Sequence, residues 1–425
     1  MITMPDSNHP RWTFLNPLKE VLAPTSARTW VLFFFGSLMA WLAFPFLRVA
    51  AFSMIALSLP LMVALMVSVI SDYSGQPRSH AWIVALAIGW MVMLVSISLA
   101  RLPKRNSDEA LLTEVALQGM TQGINPYSRD YRGTQLDTWV GDLREFGGVH
   151  PVATRYIYLP GHLVLSMPFY VILKKISGWY DQRVVYLAAY LMLVGLSWWS
   201  LRVSPLRDPL VLSLALNPFL FFVFNGFNDL LVLSLLSVAG FAMATRRLSA
   251  AAVILGLAIA TKQSAWVLAP FFLLALHQAG QSKWSSTLRC VAITVGVALL
   301  VLLPFVIWSP ADFYDDTIRY FTSGSPFSNA GEGISGLLRA ISPNSPGPFP
   351  FWTWQVFFSL PIVVTLLWRS RIRPSTQKYF FFSALALSAA WFFSRYFLPA
   401  HMSVIIILIT LSFLIGEVER TNKSL

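Results

Sequence analysis

Successive apolar blocks make up most of this chain. They are roughly 17 to 25 residues long, the length of helix that crosses a hydrocarbon layer about 30 Å thick, and short polar connectors separate them. Charged residues make up only 12% of the 425 positions, against 56% hydrophobic. A soluble domain carries about twice that charge, so the chain has too little polar surface to cover itself in water. Its mean hydropathy of +0.63 says the same. Lipid is therefore its solvent, and the fold class is all-α and polytopic.

The spacing predicts about 11 to 13 transmembrane helices or half-helices. Three, between Trp30 and Ala100, form an N-terminal membrane segment (29–100) behind a cytoplasmic tail (1–28) that has no cleavable-leader pattern. An outer loop (101–154) precedes a central membrane domain (155–308), whose first span is Arg155 to Leu173. A second outer loop (309–350), C-terminal helices (351–416) and a cytoplasmic tail (417–425) complete the chain. Basic residues favour the cytoplasmic side. That rule puts Lys174 and Lys175, Lys283, the Arg369/Arg371/Arg373 group and Lys423 inside, with both long loops outside. Arg246 and Arg247 join the inner set if Pro209 to Phe224 is re-entrant and Ala250 to Leu276 is two short helices bent near Lys262. That arrangement also gathers Asn228, Asp229 and Lys262 on the outer face.

The formal charge of +12 sits at the ends of apolar blocks, where anionic lipid headgroups explain it better than nucleic acid does. The single cysteine, Cys290, excludes an intramolecular disulfide and reads as a small buried hydrophobe. The sequence contains no fixed-period repeat, zinc-ligand spacing, phosphate-binding glycine loop or serine-hydrolase signature. Isolated histidines such as His162 and His277 read as helix-end contacts.

The polar residues that remain fall on the outer face. Ser107-Asp108-Glu109 opens a helix that Gly123-Ile124-Asn125-Pro126-Tyr127 ends; the carboxylates suit the positive helix end, whatever else they do. Glu114, six residues after Asp108, lies on another face. Tyr156 and Tyr158, before Pro160, are either aromatic anchors at the membrane boundary or a wall of a cleft. Lys262 interrupts apolar sequence and must snorkel, pair or bind an anion; Asp229, beside Asn228, is its obvious partner. Arg395, in the connector that ends at His401, runs against the positive-inside trend and so points to an anionic partner.

These motifs, in this order, resemble the GT-C membrane glycosyltransferases, particularly the bacterial and archaeal polyprenyl-phosphate-mannose-dependent mannosyltransferases. The residues that carry the likeness are Asp108-Glu109, Gly123 to Tyr127, Tyr158-Leu159-Pro160, Asn225 to Asp229 and Gly256 to Lys262. The resemblance implies an inverting transfer of a sugar, mannose in that branch, from a polyprenyl-phosphate donor to an extracytoplasmic glycan, lipid or protein, in the cytoplasmic (inner) membrane. It implies that Asp108 is the catalytic carboxylate, with Glu109 in reserve, and that Lys262 and Arg395 meet the donor phosphate. Glu114, Tyr156, Tyr158, Asn228, Asp229 and His401 would then line the cleft or the acceptor site. No cofactor is named by the sequence; a divalent metal is the alternative counter-charge for the phosphate. A secondary transporter and a nonenzymatic assembly factor are the competing readings. The transporter expects paired repeats around a midplane site, which the chain does not display.

Overall fold

The computed structural model of the chain describes residues 108–138, 152–204, 228–322, 333–341, 350–372 and 374–424, with isolated positions between 207 and 226. The expected three-helix segment 29–100, Ser107 and most of Pro209 to Phe224 lie outside the described residues. The described residues form helices and connectors without a strand, as an all-α polytopic protein requires.

Helix α1 (Asp108–Thr121) carries Asp108 and Glu109 in its first turn, and the chain turns at Gly123 with φ +77°. Helix α2 (Pro160–Ser177) begins with proline, whose missing N–H costs nothing there. It ends at Gly178, where φ is +67° and the amide donates back to Lys174 O. Next come α3 (Arg183–Ser200), α4 (Asp229–Ala244), α5 (Leu248–Thr261), α6 (Ser264–Ala279) and α7 (Trp284–Trp308). Helix α8 (Pro310–Tyr314) runs on through a π-helical turn (Asp315–Arg319) to Tyr320–Thr322. Last are α9 (Ile334–Ile341), α10 (Phe351–Ser370), α11 (Thr376–Phe392) and α12 (Pro399–Ser424).

Helix α4 is apolar all round and buried along nearly its whole length, the mark of a central helix. It packs on α3, α5 and α12. The rings of Phe272 and Phe380, 4.6 Å apart, join α6 to α11. Helix α10 instead exposes Trp352, Phe357, Leu360 and Val364, apolar side chains suited to lipid. Helices α3, α7 and α10 are long and apolar enough to cross a membrane, whereas α4, α5 and α6 are apolar but shorter.

Two ends of the bundle are defined by long-range hydrogen bonds. At the α1 end, the backbone N of Asn228, before α4, donates to Glu109 Oε2 at 2.9 Å. At the opposite end, Gln278 Nε2 donates to Pro374 O at 2.8 Å and Thr376 N to Glu419 Oε1 at 3.0 Å. Ser204, just past α3, donates to Glu417 there. Glu417 lies about 27 Å along α12 from its start.

The sequence reading of Arg155 to Leu173 as a full crossing is corrected by this geometry. After α2, residues 178–182 run back along it. The Tyr170 and Tyr180 rings meet at 5.0 Å, and Gln182 Nε2 reaches Ser166 Oγ at 2.9 Å. Gln182 N then donates to Glu114 Oε1 of α1 at 2.8 Å. Helix α3 therefore starts at the α1 end, and Lys174 and Lys175 belong to that end as well, Lys174 being close enough for its charge to act on Glu114. The α4–α5 connector, with Arg246 and Arg247, falls at the opposite end, since α4 runs there from Asp229; the expected re-entrant element lies outside the described residues. The expected break at Lys262 is present. That residue is extended (φ −153°, ψ 143°) between α5 and α6.

Candidate active site

The break puts the Lys262 side chain over the start of α4. Its Nζ lies 2.8 Å from Asp229 Oδ1 and also donates to Asn228 Oδ1. Both side chains of the pair are largely buried, 13% exposed for Lys262 and 3% for Asp229. Asp229 occupies the first turn of α4, where the helix dipole further favours a carboxylate. Glu109 closes the cluster from α1 through its bond to Asn228 N. Burial pushes the Glu109 carboxyl above its ordinary range, against the attraction of Lys262. Asp108, its neighbour, accepts from Glu109 N at 3.0 Å, and burial raises it to about 6. Sequence reasoning named all five of these residues, and the structure brings them together.

Tyrosines hold α1 in place. Tyr127 OH donates to Tyr158 O at 2.8 Å, and the Tyr127 ring meets Tyr156 edge-on at 5.6 Å and Phe313 at 4.9 Å. Tyr156 and Tyr158 meet edge-on at 5.7 Å. Both are buried in this aromatic cluster. Close approach of α2 to α5 depends on Gly161, since a Cβ there would stand 2.5 Å from Ala260 O.

Arg395 is buried at the same end, its guanidinium 4.8 Å from the centre of the Tyr396 ring. Tyr396 OH lies 3.3 Å from Tyr320 OH, and the Tyr320 ring carries Arg155 at 5.5 Å. The charges of Arg395 and Asp108 both act on Tyr320, which places the arginine close to the carboxylate cluster. His401 opens α12, accepts from Leu398 N at 3.0 Å and stacks on Trp391 at 4.4 Å, within electrostatic reach of Asp229 and Lys262.

Glu114 stands apart from this group. It caps the α3 start beside the buried Asp181–Arg183 pair (2.7 Å), and burial raises its carboxyl to about 8. Its contacts are those of a clamp between α1 and α3. Two residues escaped the sequence reading. Asp316, in the π-helical turn, accepts from Tyr156 N at 2.8 Å, and burial pushes it up to about 7. Gln263 bridges two carbonyls beside Lys262. A polar pair in an apolar run, Lys262-Gln263, was a signal for the second; nothing local marks Asp316 off from Asp312 and Asp315. Among the described residues, no three His, Cys, Asp or Glu side chains converge as metal ligands.

Residues 156–398, more than half of the chain, match the family described as Glycosyltransferase family 87. The chain belongs to glycosyltransferase family 87. The matched span takes in Tyr156, Tyr158, Asn228, Asp229, Lys262 and Arg395, while Asp108, Glu109, Glu114 and His401 fall outside it. Membership is thus at the level of family 87, not of the mannosyltransferase branch that the motifs resemble. No curated protein matches the family 87 chain in sequence. Among solved structures it is similar to the crystal structure of ArnT from Cupriavidus metallidurans bound to undecaprenyl phosphate. Identity is 18% and the TM-score 0.46, over 78% of this chain and 60% of that one, less than two thirds of its length.

Proposed function

We propose that this family 87 protein transfers a sugar from a polyprenyl-phosphate donor to an acceptor hydroxyl at the α1 end of the bundle, on the extracytoplasmic face, with inversion at the anomeric carbon. The observation that carries the reading is the meeting of two carboxylates of α1 with the buried Asp229–Lys262 pair at one end of a largely apolar bundle, with Arg395 buried close by. Membership in a glycosyltransferase family favours an enzyme over the transporter and the assembly factor. The donor class rests on the motif resemblance and on the two cations, and mannose on the resemblance alone.

Asp108 is the proposed base. Glu109 is tied to the α4 start through Asn228, and Asp108, which opens the same helix, has a carboxyl raised to about 6, so it is ionised at neutral pH yet basic enough to take a proton. As the acceptor oxygen attacks, its proton passes to Asp108 and the new C–O bond forms. The bond from the anomeric carbon to the phosphate oxygen breaks on the opposite side, and the phosphate keeps the electron pair. Lys262 and Arg395 stabilise that developing charge; a bound divalent metal would act in the same sense. Purified protein supplied with a panel of polyprenyl-phosphate sugars, mannose included, should form a product of inverted anomeric configuration with at least one donor. Retention of configuration, or no transfer from any of them, contradicts the reading.

A further inference from the structure

Gln263 follows Lys262 directly and precedes α6. Its side-chain nitrogen donates to Ile157 O at 3.2 Å and to Thr317 O at 3.2 Å. A primary amide has two N–H groups, so one side chain serves both carbonyls. The two acceptors belong to segments far apart in sequence. Ile157 lies between the two tyrosines of the connector before α2, and Thr317 sits buried at the middle of the π-helical turn Asp315–Arg319. A π turn inside a helix is a recurrent feature of functional sites. The same turn grips the same connector a second time, through Asp316 and Tyr156 N. Connector, turn and helix break are thereby interlocked, and the residue beside the lock is the extended Lys262, whose ammonium reaches Asp229 and Asn228.

We propose that Gln263 is a positioning residue: by donating to Ile157 O and Thr317 O it fixes the helix break and so sets where the Lys262 ammonium stands relative to Asp229, Glu109 and the donor phosphate. The inference rests on the reading of Lys262 as a phosphate contact. The part of the side chain that matters is its capacity to donate twice. Leucine fills similar space without a donor, glutamate at neutral pH turns two acceptors on two acceptors, and lysine supplies donors of another shape.

The test uses the full-length protein in detergent and two readouts, binding of radiolabelled polyprenyl phosphate and sugar transfer. Gln263→Leu should weaken polyprenyl-phosphate binding and kcat/KM by about tenfold, the scale expected when a binding group is misplaced by a fraction of an ångström. Gln263→Lys should stay within about threefold of wild type. The activity of Gln263→Glu relative to wild type at the same pH should rise as pH falls, because the protonated carboxyl regains one donor. In a Lys262→Gln background, Gln263→Leu should add little, since Gln263 acts through the lysine. Equal behaviour of the leucine and lysine variants, a flat glutamate ratio, or full additivity with Lys262→Gln overturns the proposal. If the leucine variant fails to fold, the glutamate ratio and the lysine variant still decide. Wild type that binds polyprenyl phosphate but transfers no sugar would sink the proposed function and leave this inference to the binding arm.

Discussion

The pair formed by Lys262 and Asp229 allows a quantitative test of how the site is built. With 13% and 3% of the two side chains exposed and 2.8 Å between the charges, removing one partner leaves the other buried and uncompensated. Breaking such a pair costs about 3 to 5 kcal/mol. Asp229 keeps the help of the α4 dipole when the lysine is lost, so Lys262→Met should fall near about 3 kcal/mol, the lower end of that range. Removing both charges in Lys262→Met with Asp229→Leu takes away the desolvation penalty together with the attraction. Stability should then return to within about 1 kcal/mol of wild type, a coupling of several kcal/mol between the sites. Equilibrium unfolding of wild type, Lys262→Met, Asp229→Leu and the double variant in detergent completes the cycle, and donor titration on the same samples separates fold from function. The double variant should be stable and inactive. Single variants that lose less than about 1 kcal/mol, or a double variant that is as unstable as their sum, would refute the reasoning.

Asp108 raised to about 6 by burial predicts an acidic limb in kcat/KM. The base form is present above about pH 6 and lost as pH falls through it, so activity should fall tenfold per unit well below that value, as a stopped-time transfer assay over pH 4.5 to 8 would show. Gly161→Ala should destabilise by about 1 to 3 kcal/mol, because its Cβ meets Ala260 O at 2.5 Å and forces α2 away from α5; thermal unfolding in detergent measures this. In a background lacking Cys290, cysteines at the exposed positions Ser128 and Lys174 should label from one side of the membrane and one at Arg371 from the other. Labelling of position 174 with position 371 would restore α2 as a crossing.

How far the sequence could be read depended on how costly each residue was for the membrane. A lysine inside an apolar run cannot be left alone, so the break at Lys262 and its pairing with Asp229 were legible, as was the helix that opens at Asp108 and Glu109. Arg155 to Leu173 was misread because hydropathy reports contact with lipid and not direction. Helix α2 exposes Val171, Ile172 and Ile176, so part of it reads like a span, yet it falls short of a crossing in apolar character and the chain turns at Gly178 and retraces it. Tyr156 and Tyr158 were ambiguous because a tyrosine is equally at home at a headgroup boundary and in a packed aromatic cluster. Glu114 and Asp316 are decided by residues 68 and 160 positions away, and no local pattern encodes such partners.

The account stands on Asp108 taking the acceptor proton. Asp108→Asn keeps the size of the side chain and an oxygen that can still accept from Glu109 N, but removes its basicity. Wild-type and Asp108→Asn proteins of matched folding and matched polyprenyl-phosphate binding should be compared for turnover at saturating donor. Asp108→Asn should be slower by about 100-fold or more and should lack the limb near pH 6. Turnover within about threefold of wild type, with that limb intact, would contradict the assignment of the base.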